Sequence, residues 1–337
     1  MTAINLQWSD RSILLLRQAA ALPARLVEPL MVVLQKVLGV ARLPWVFLLP
    51  NLVVIALFSV LPVLINILYS VTGSDNLYPS ERHFVGLANY ATLLECQNYL
   101  DPSTCSRDLF WRAVGNSLVF VPVQVAVMIG VALLTALILN RRIRARAFFR
   151  GIFFFPVMLS PVVVAMTWVW LLQRDGALNG MLGSLGFARV SWLTDPARAF
   201  KWSIFVTVWA HMGFYMVILL AGLQSIPADI YEAAKMDRAS PWRVFTRITL
   251  PLLKPVLLVV FILAVIRSVQ TFDEIYVLTG GGPGSATKMI VHYIYETGFA
   301  VMPRNYGLAA AASLMLGAVL FVFTALQMKL SRGGRDA

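Results

Sequence analysis

Residues 114–140 read VGNSLVFVPVQVAVMIGVALLTALILN, a stretch of 27 residues without a single aspartate, glutamate, lysine or arginine. A helix rises about 1.5 Å per residue and the hydrocarbon core of a bilayer is about 30 Å thick, so about 20 such residues cross it. A membrane β-barrel would instead show alternating segments of about ten residues. This stretch therefore predicts a transmembrane helix.

Five other stretches have similar length and apolar character: Trp45–Val71, Gly151–Gln173, Phe200–Leu223, Pro255–Leu278 and Tyr306–Met328. Hydrophobic residues make up 59% of the chain and charged residues only 13%, which excludes an ordinary soluble fold. Prolines inside these stretches are compatible with spans, because packed neighbours satisfy the freed backbone groups. We predict an all-α polytopic membrane protein with about six transmembrane helices.

The net charge of +12 raises the question of a nucleic-acid partner, and the location of the charge answers it. Lysine and arginine number 18 before the first span, in 141–150, in 224–254 and after 328, against nine in the intervening segments. This bias in short loops follows the positive-inside rule. We therefore expect both termini to be cytoplasmic, lipid to surround the chain, and no nucleic acid to bind.

The pattern divides the chain into a cytoplasmic or interfacial segment (1–44), a first transmembrane helix (45–72), a periplasmic loop (73–112), a core transmembrane domain (113–328) and a cytoplasmic tail (329–337). Charges and prolines interrupt the apolar residues Ile13–Leu38, which favours an amphipathic segment at the membrane surface. A signal peptide and a seventh span are the alternatives.

Both cysteines of the chain, Cys96 and Cys105, fall in the predicted periplasmic loop. Because the external face of a membrane is oxidising, we expect a disulfide that closes a small loop. Two free thiols are the alternative.

Residues 225–251 read SIPADIYEAAKMDRASPWRVFTRITLP and predict two short cytoplasmic helices between the fourth and fifth spans. Pro227 suits the first turn of one helix, and Ser240 can cap the next with Pro241 at its first position. Each helix gathers apolar or small side chains on one face: Ile230, Ala233 and Ala234 on the first, and Trp242, Phe245 and Ile248 on the second. Such a helix pair is suited to a groove on a partner.

The run Glu232-Ala233-Ala234, with Asp237, Ala239 and Ile248–Pro251, resembles the "EAA" loop of permease subunits in binding-protein-dependent ABC importers, specifically the maltose-permease-like sugar group. The resemblance continues through FDEIYVLTGGGP at 272–283 and covers about residues 89–328. It implies the type I ABC importer permease fold, with this loop inserted into a cleft on a cytoplasmic ATPase. Arg238 replaces the usual glycine, and an ordinary basic loop at the membrane surface is the alternative.

The resemblance also implies the partners: a second permease in a heterodimer, two ATP-binding subunits that hold ATP and Mg, and a periplasmic solute-binding protein. The complex would import a sugar, oligosaccharide or polyol across the bacterial inner membrane. This chain would be a non-catalytic subunit without a cofactor or metal of its own. Its glycine-rich stretch (Gly280, Gly281, Gly282 and Pro283) lacks the Gly-Lys-Ser/Thr ending of a phosphate-binding loop.

We expect the glycine-rich stretch to allow close approach of a docked solute-binding protein. A plain turn is an equally good interpretation of the same residues.

Arg267 lies inside the fifth predicted span, where a central arginine costs about 2.5–3.5 kcal/mol to insert. Steps of three and four residues place it on one helical stripe with Ala264, Ser268, Thr271 and Glu274. We predict that Arg267, Ser268 and Thr271 line the translocation path, faced by three residues of the fourth span: His211, Phe214 and Tyr215.

Plainer interpretations of these residues stay open. Arg267 could simply pair with Asp273 or Glu274, and His211 could make an ordinary hydrogen bond between helices. A cation on the path could also indicate an anionic sugar derivative.

Two other protein classes fit parts of the pattern. A secondary transporter would also carry polar groups on spanning helices, but it would usually show internal repeats, and none is apparent. A membrane anchor for a cytoplasmic complex would explain the loop at 225–251 but not the polar stripe.

Overall fold

The computed structural model describes residues 35–36, 39–40, 42–73, 76, 78–141 and 143–332. The predicted interfacial segment Ile13–Leu38 lies outside these residues except for 35–36, and the tail beyond residue 332 lies outside them entirely. The chain divides into two compact units, one ending at Asn66 and the other beginning at Ile67.

The first unit contains α1 (Leu43–Ile55), a π-helical turn (Ala56–Val60) and the start of α2 (Leu61–Ser70). Pro44 stands in the first turn of α1, where its missing N–H leaves no hydrogen bond unmade. The stretch Pro44–Ser70 is long and apolar enough to cross a membrane, close to the predicted Trp45–Val71.

The second unit is almost entirely helical. Its elements after α2 are β1 (Thr72–Gly73), β2 (His83–Phe84), α3 (Ala88–Leu94), α4 (Asp108–Asn140), α5 (Arg146–Phe154), α6 (Pro161–Leu172), α7 (Ala177–Ser184), α8 (Pro196–Gln224), α9 (Ala228–Met236), α10 (Pro241–Val244), α11 (Leu250–Val269), α12 (Asp273–Thr279), α13 (Ile290–Tyr295) and α14 (Tyr306–Arg332). Five helices of the described chain are long and apolar enough to span, and a bent pair is a sixth candidate. The predicted fold class is confirmed.

The bent pair corrects the third predicted span, Gly151–Gln173. The helical stretches Arg146–Met158 and Pro161–Ser184 meet at an angle of 100° instead of forming one straight helix. The residue before a proline is driven out of the α-helical region, and Ser160 accordingly has an extended backbone with ψ of 135°. Pro161 then starts α6, so the break follows from the Ser160-Pro161 pair.

The fifth predicted span, Pro255–Leu278, also differs at both ends. Helical structure runs from Pro241 through a π-helical turn (Phe245–Thr249) into α11, which ends at Val269. The chain then starts the separate helix α12 with Asp273 and Glu274 in its first turn. Acidic residues are favourable at a helix N-terminus, which explains why a new helix begins there.

Helix α8 lies at the centre of the second unit and packs along α4 and α11. The main core contains Met128 of α4, Met216 and Leu219 of α8, and Val260 of α11, all fully buried. Close approach depends on a small residue, because a Cβ at Gly213 would lie 2.1 Å from the Phe153 carbonyl oxygen of α5. Small residues at such contacts are typical of packed membrane helices.

The strands β1 and β2 and the helix α3, with the residues up to α4, form a small cap that is hydrogen-bonded to α2 and α4. The strands β1 and β2 pair antiparallel, and Asn89 of α3 donates hydrogen bonds to the carbonyls of Ser70 (2.8 Å) and Thr72 (3.2 Å). The Trp111 indole of α4 donates to the Leu93 carbonyl at 2.9 Å. Helix α4 begins at Asp108, which is earlier than the predicted start of the core domain at residue 113.

The structure joins Cys96 and Cys105 in a disulfide within this cap. We expect a maleimide reagent to label neither cysteine of the unreduced, detergent-denatured protein and both after reduction, because only free thiols react. Mass spectrometry of the labelled chain measures this. Modification of both residues before reduction would contradict the disulfide.

Candidate functional site

The loop between α8 and α11 has the two-helix structure predicted for it. Helix α9 ends in two hydrogen bonds that define a Schellman motif, from the Arg238 amide to the Lys235 carbonyl and from the Ala239 amide to the Ala234 carbonyl, each at 3.0 Å. Arg238 occupies the left-handed position of this motif with φ of 50°. Glycine is the usual residue there because it has no Cβ to clash.

Replacing Arg238 by glycine should therefore stabilise the loop. A left-handed non-glycine residue costs about 1–2 kcal/mol, and glycine loses about half of that gain to greater freedom in the unfolded chain. We expect Arg238→Gly to raise the apparent Tm of the purified protein by one to a few degrees, as measured by differential scanning fluorimetry. A lower Tm would show that the arginine side chain makes stabilising contacts that outweigh the backbone strain.

The second helix of the loop starts as predicted and connects directly to α11. The Ser240 hydroxyl accepts a hydrogen bond from the Arg243 amide at 3.3 Å, and Pro241 is the first helical residue. The Tyr231 and Thr249 hydroxyls lie 3.2 Å apart, which fastens α9 to the residues before α11. A displacement of α9 would thus be transmitted to a membrane-spanning helix.

The residues expected to couple this chain to an ATPase, which form the run that resembles the EAA loop, differ in exposure. Glu232, Ala233 and Asp237 are exposed, whereas Ala234 is buried against the protein and Ala239 is half-buried. Two large apolar side chains beside them also face outwards, since Met236 is 85% and Trp242 is 73% exposed. A surface that combines exposed apolar side chains with charged ones is suited to contact with another protein.

The polar residues of the predicted path form a compact ionic cluster. The Glu274 Oε1 atom lies 2.7 Å from His211 Nε2 and 3.1 Å from Arg267 Nη2, and Arg267 Nη2 lies 3.0 Å from His211 Nε2. Glu274 is 1% exposed, whereas 35% of the Arg267 side chain is exposed. The cluster joins α8, α11 and α12 at one point.

The predicted stripe is wrong in one respect. Because α11 ends at Val269, Thr271 and Glu274 are not on the same helix as Arg267. The turn between α11 and α12 nevertheless returns Glu274 to Arg267. The pairing of Arg267 with Glu274, considered above as the plainer interpretation, is therefore present in the structure.

The other predicted path residues are mostly buried within this chain. Ser268 is 2%, Thr271 1% and Tyr215 3% exposed, whereas Phe214 is 42% exposed. Ser268 donates to the Oε1 atom of Gln124 on α4, and Gln124 is fully buried. Sequence reasoning missed Gln124, because one amide within an apolar stretch gives no signal of what it faces.

The glycine-rich stretch folds as a closed turn fastened to α4. Gly280 and Gly281 have φ of 58° and 81°, conformations that favour glycine. Thr287 donates to the Gly282 carbonyl at 2.8 Å, and Asn116 of α4 donates to the carbonyls of Ser285 (2.8 Å) and Lys288 (3.0 Å). These bonds give the turn a structural role of its own, beside any role in docking.

An aromatic group not predicted from the sequence surrounds His292. Its ring lies 5.0 Å from Phe272 and 5.2 Å from Tyr276, and Tyr295 contacts both of these rings. Neither ring nitrogen of the buried His292 has a hydrogen-bond partner among the described residues. Burial lowers the pKa of His292 to about 4, so this imidazole is neutral at physiological pH.

A cavity of about 820 Å³ lies elsewhere, between α4, α11 and α14. Apart from Ser117 and Trp111, its described lining is apolar, with Phe261 and Phe323 among its walls. It offers few partners to a sugar hydroxyl and is suited to hydrocarbon. In the described part of the chain, no three histidine, cysteine, aspartate or glutamate side chains group closely enough for a metal ion.

Comparison with known proteins gives a consistent result. Residues 128–335 match the family described as "Binding-protein-dependent transport system inner membrane component". The chain is 37% identical over 302 residues to the trehalose/maltose transport system permease protein MalF of Thermococcus litoralis, covering 88% of this chain and 96% of the relative. It is 33% identical over 293 residues to the lactose transport system permease protein LacF of Rhizobium radiobacter, covering 86% and 93%.

Solved structures agree with this result. A chain in the crystal structure of a bacterial ABC transporter involved in import of the acidic polysaccharide alginate superposes with a TM-score of 0.75 at 26% identity, covering 89% of this chain and 98% of that one. A chain of the alginate transporter in complex with its pentasaccharide-bound periplasmic protein superposes with a TM-score of 0.73 at 25% identity, covering 89% and 97%.

Proposed function

This chain belongs to the binding-protein-dependent transport system inner membrane component family, and we propose that it is a permease subunit through which an ATP-driven importer moves a sugar, oligosaccharide or polyol. Trehalose, maltose, lactose and alginate are the solutes named for similar proteins. The polar cluster of Arg267 and His211, with the exposed ring of Phe214 three residues further along α8, supplies hydrogen-bonding groups and an aromatic face for such a solute.

The observation that carries the proposal is the loop between α8 and α11. It presents Glu232, Ala233 and Asp237 next to the exposed side chains of Met236 and Trp242. Exposed apolar and charged side chains on a helix pair of this kind suit a groove on a partner protein. In the proposed mechanism the loop docks on an ATPase subunit, and α9 transmits movement to α11 through the contact of Tyr231 with Thr249.

The proposed assembly has five chains: this permease, a related second permease, two ATP-binding subunits and a periplasmic solute-binding protein. ATP and Mg bind to the ATPase subunits, and this chain catalyses no reaction. The loaded binding protein delivers its solute from outside. ATP binding then closes the ATPase dimer, and the loops of both permeases convert this closure into a change from outward-facing to inward-facing spans.

The proposed orientation places both termini and the loop at 225–251 in the cytoplasm. The excess of lysine and arginine in 141–150, 224–254 and the terminal segments supports this side. The oxidised cysteine pair would then lie in the periplasm, where disulfides persist.

A subunit census tests the assembly. We expect an affinity-tagged chain, co-expressed with the products of its neighbouring genes and purified in mild detergent, to bring with it one other permease and two copies of an ATP-binding protein, as measured by native mass spectrometry. A chain that purifies without any ATPase and supports solute uptake driven by an ion gradient would contradict the proposal and identify a secondary transporter.

A further inference from the structure

Arg267 has donors that its partners do not use. Its Nη2 atom makes both of its polar contacts, with Glu274 and His211, so Nε and Nη1 have no partner among the described residues. The side chain is 35% exposed, and α11 is a membrane-spanning helix. With the solute path placed along this side of α11, as proposed above, a solute would meet a guanidinium group with unused N–H donors.

Glu274 has features that a purely structural ion pair does not require. Its Oε1 atom contacts both Arg267 and His211, but its Oε2 atom is buried without a hydrogen-bond partner in the described chain. An unsatisfied buried carboxylate oxygen is costly, so Glu274 is not paired as fully as a carboxylate in a saturated structural ion pair. The Oε1 atom of Glu274 lies 3.1 Å from the Arg267 guanidinium, so the negative charge of this carboxylate offsets the positive charge of the arginine.

We infer that Glu274 sets the charge preference of the solute path: by cancelling the charge of Arg267, it makes the path select an uncharged, hydroxyl-rich solute over an anionic one. Alone, Arg267 would attract a solute carboxylate. Beside Glu274, a solute carboxylate would meet a negative charge as well as the positive charge of Arg267. The hydroxyl groups of a neutral solute could still accept hydrogen bonds from Nε and Nη1. This inference rests on the proposed function and separates the chain from an importer of an acidic polysaccharide.

Whether Glu274 cancels the charge of Arg267 is tested with a thiol introduced near these two residues. Gln270 is exposed and lies three residues after Arg267, and the two native cysteines are joined to each other. In the full complex carrying Gln270→Cys, the labelling rates with an anionic and with a cationic methanethiosulfonate reagent are compared. We expect Glu274→Gln to raise the anionic-to-cationic rate ratio by about tenfold, as one uncovered charge implies.

Asp273→Asn is the matched control, since Asp273 is the exposed acid next to Glu274. We expect this variant to change the ratio much less than Glu274→Gln does. An unchanged ratio in Glu274→Gln, or an equal change in Asp273→Asn, would overturn the inference.

The predicted preference for an uncharged solute over an anionic one is tested with two sugars as probes. We expect trehalose, which is neutral, to slow labelling of the introduced thiol in the parent complex more than digalacturonate, which is acidic, and we expect Glu274→Gln to reverse this order. Stronger protection of the parent complex by digalacturonate would overturn the inference. Protection by neither sugar would contradict the proposed sugar path, whereas the labelling ratio would still decide the role of Glu274.

A double variant covers the case in which Glu274→Gln fails to assemble. Arg267→Gln combined with Glu274→Gln removes both charges and restores neutrality. We expect the double variant to assemble and to keep its preference for trehalose, because the path is again uncharged. A double variant that prefers digalacturonate would overturn the inference.

Discussion

Reversing one charge, with Glu232→Arg, is expected to reduce solute-stimulated ATP hydrolysis by roughly 30-fold or more, because like charges brought together at an interface cost several kcal/mol. Glu232 is exposed on α9, so the change should leave the fold of this chain intact. The measurement is ATPase activity of the purified complex with the loaded binding protein, alongside the amount of ATPase subunit that copurifies.

Glu81→Arg is the matched control for this prediction. It makes the same charge change at an exposed acidic residue in the cap, far along the chain from the loop at 225–251. We expect it to copurify as much ATPase subunit as the unaltered complex and to hydrolyse ATP at the same rate without the binding protein. Normal stimulation in Glu232→Arg would count against docking of α9 on an ATPase.

The second large effect is expected at the contact between α8 and α5. A Cβ at Gly213 would lie 2.1 Å from the Phe153 carbonyl oxygen and 2.9 Å from the Phe154 Cα, and backbone atoms cannot move aside as a flexible side chain can. Overpacking of this kind costs about 1–3 kcal/mol, and here we expect the upper end. Gly213→Ala should lower the apparent Tm by several degrees and reduce uptake, because α8 carries His211 and Phe214.

Gly130→Ala supplies the comparison, since Gly130 lies within α4 and a Cβ there meets nothing within 4 Å. We expect this variant to be as stable as the parent protein or slightly more stable, because alanine favours a helix over glycine by about 1 kcal/mol. Equal Tm values for the two glycine variants would show that α5 and α8 do not meet as closely as the structure places them.

Much of this fold follows from local features of the sequence. Apolar length alone located most of the spans, and the capped start of α10 at Ser240-Pro241 followed from the side chains that favour such a start. The 100° bend at Ser160-Pro161 was predictable by the same reasoning, because the residue before a proline leaves the helical region. The apolar residues on both sides of that pair concealed the bend.

The features missed in the site depend on contacts between distant parts of the chain. The hydrogen bond between Ser268 and Gln124 joins α11 to α4, and no local pattern indicates that these residues meet. The burial of Glu274 against His211 requires that α12 turn back beside α8. The need for Gly213 appears only once α5 is placed beside it. A helical stripe predicts only which residues are neighbours on one helix. The cluster of His211, Arg267 and Glu274 instead brings together residues from three helices.

The most direct test of the central claim is ATP hydrolysis by the complex in nanodiscs, measured with a panel of binding proteins in their empty and solute-loaded forms. If this chain is the permease of a binding-protein-dependent importer, one loaded binding protein will stimulate hydrolysis well above its empty form, and its solute will be taken up into proteoliposomes only when ATP is supplied. Hydrolysis that no binding protein alters, together with uptake that proceeds without ATP, would contradict the claim.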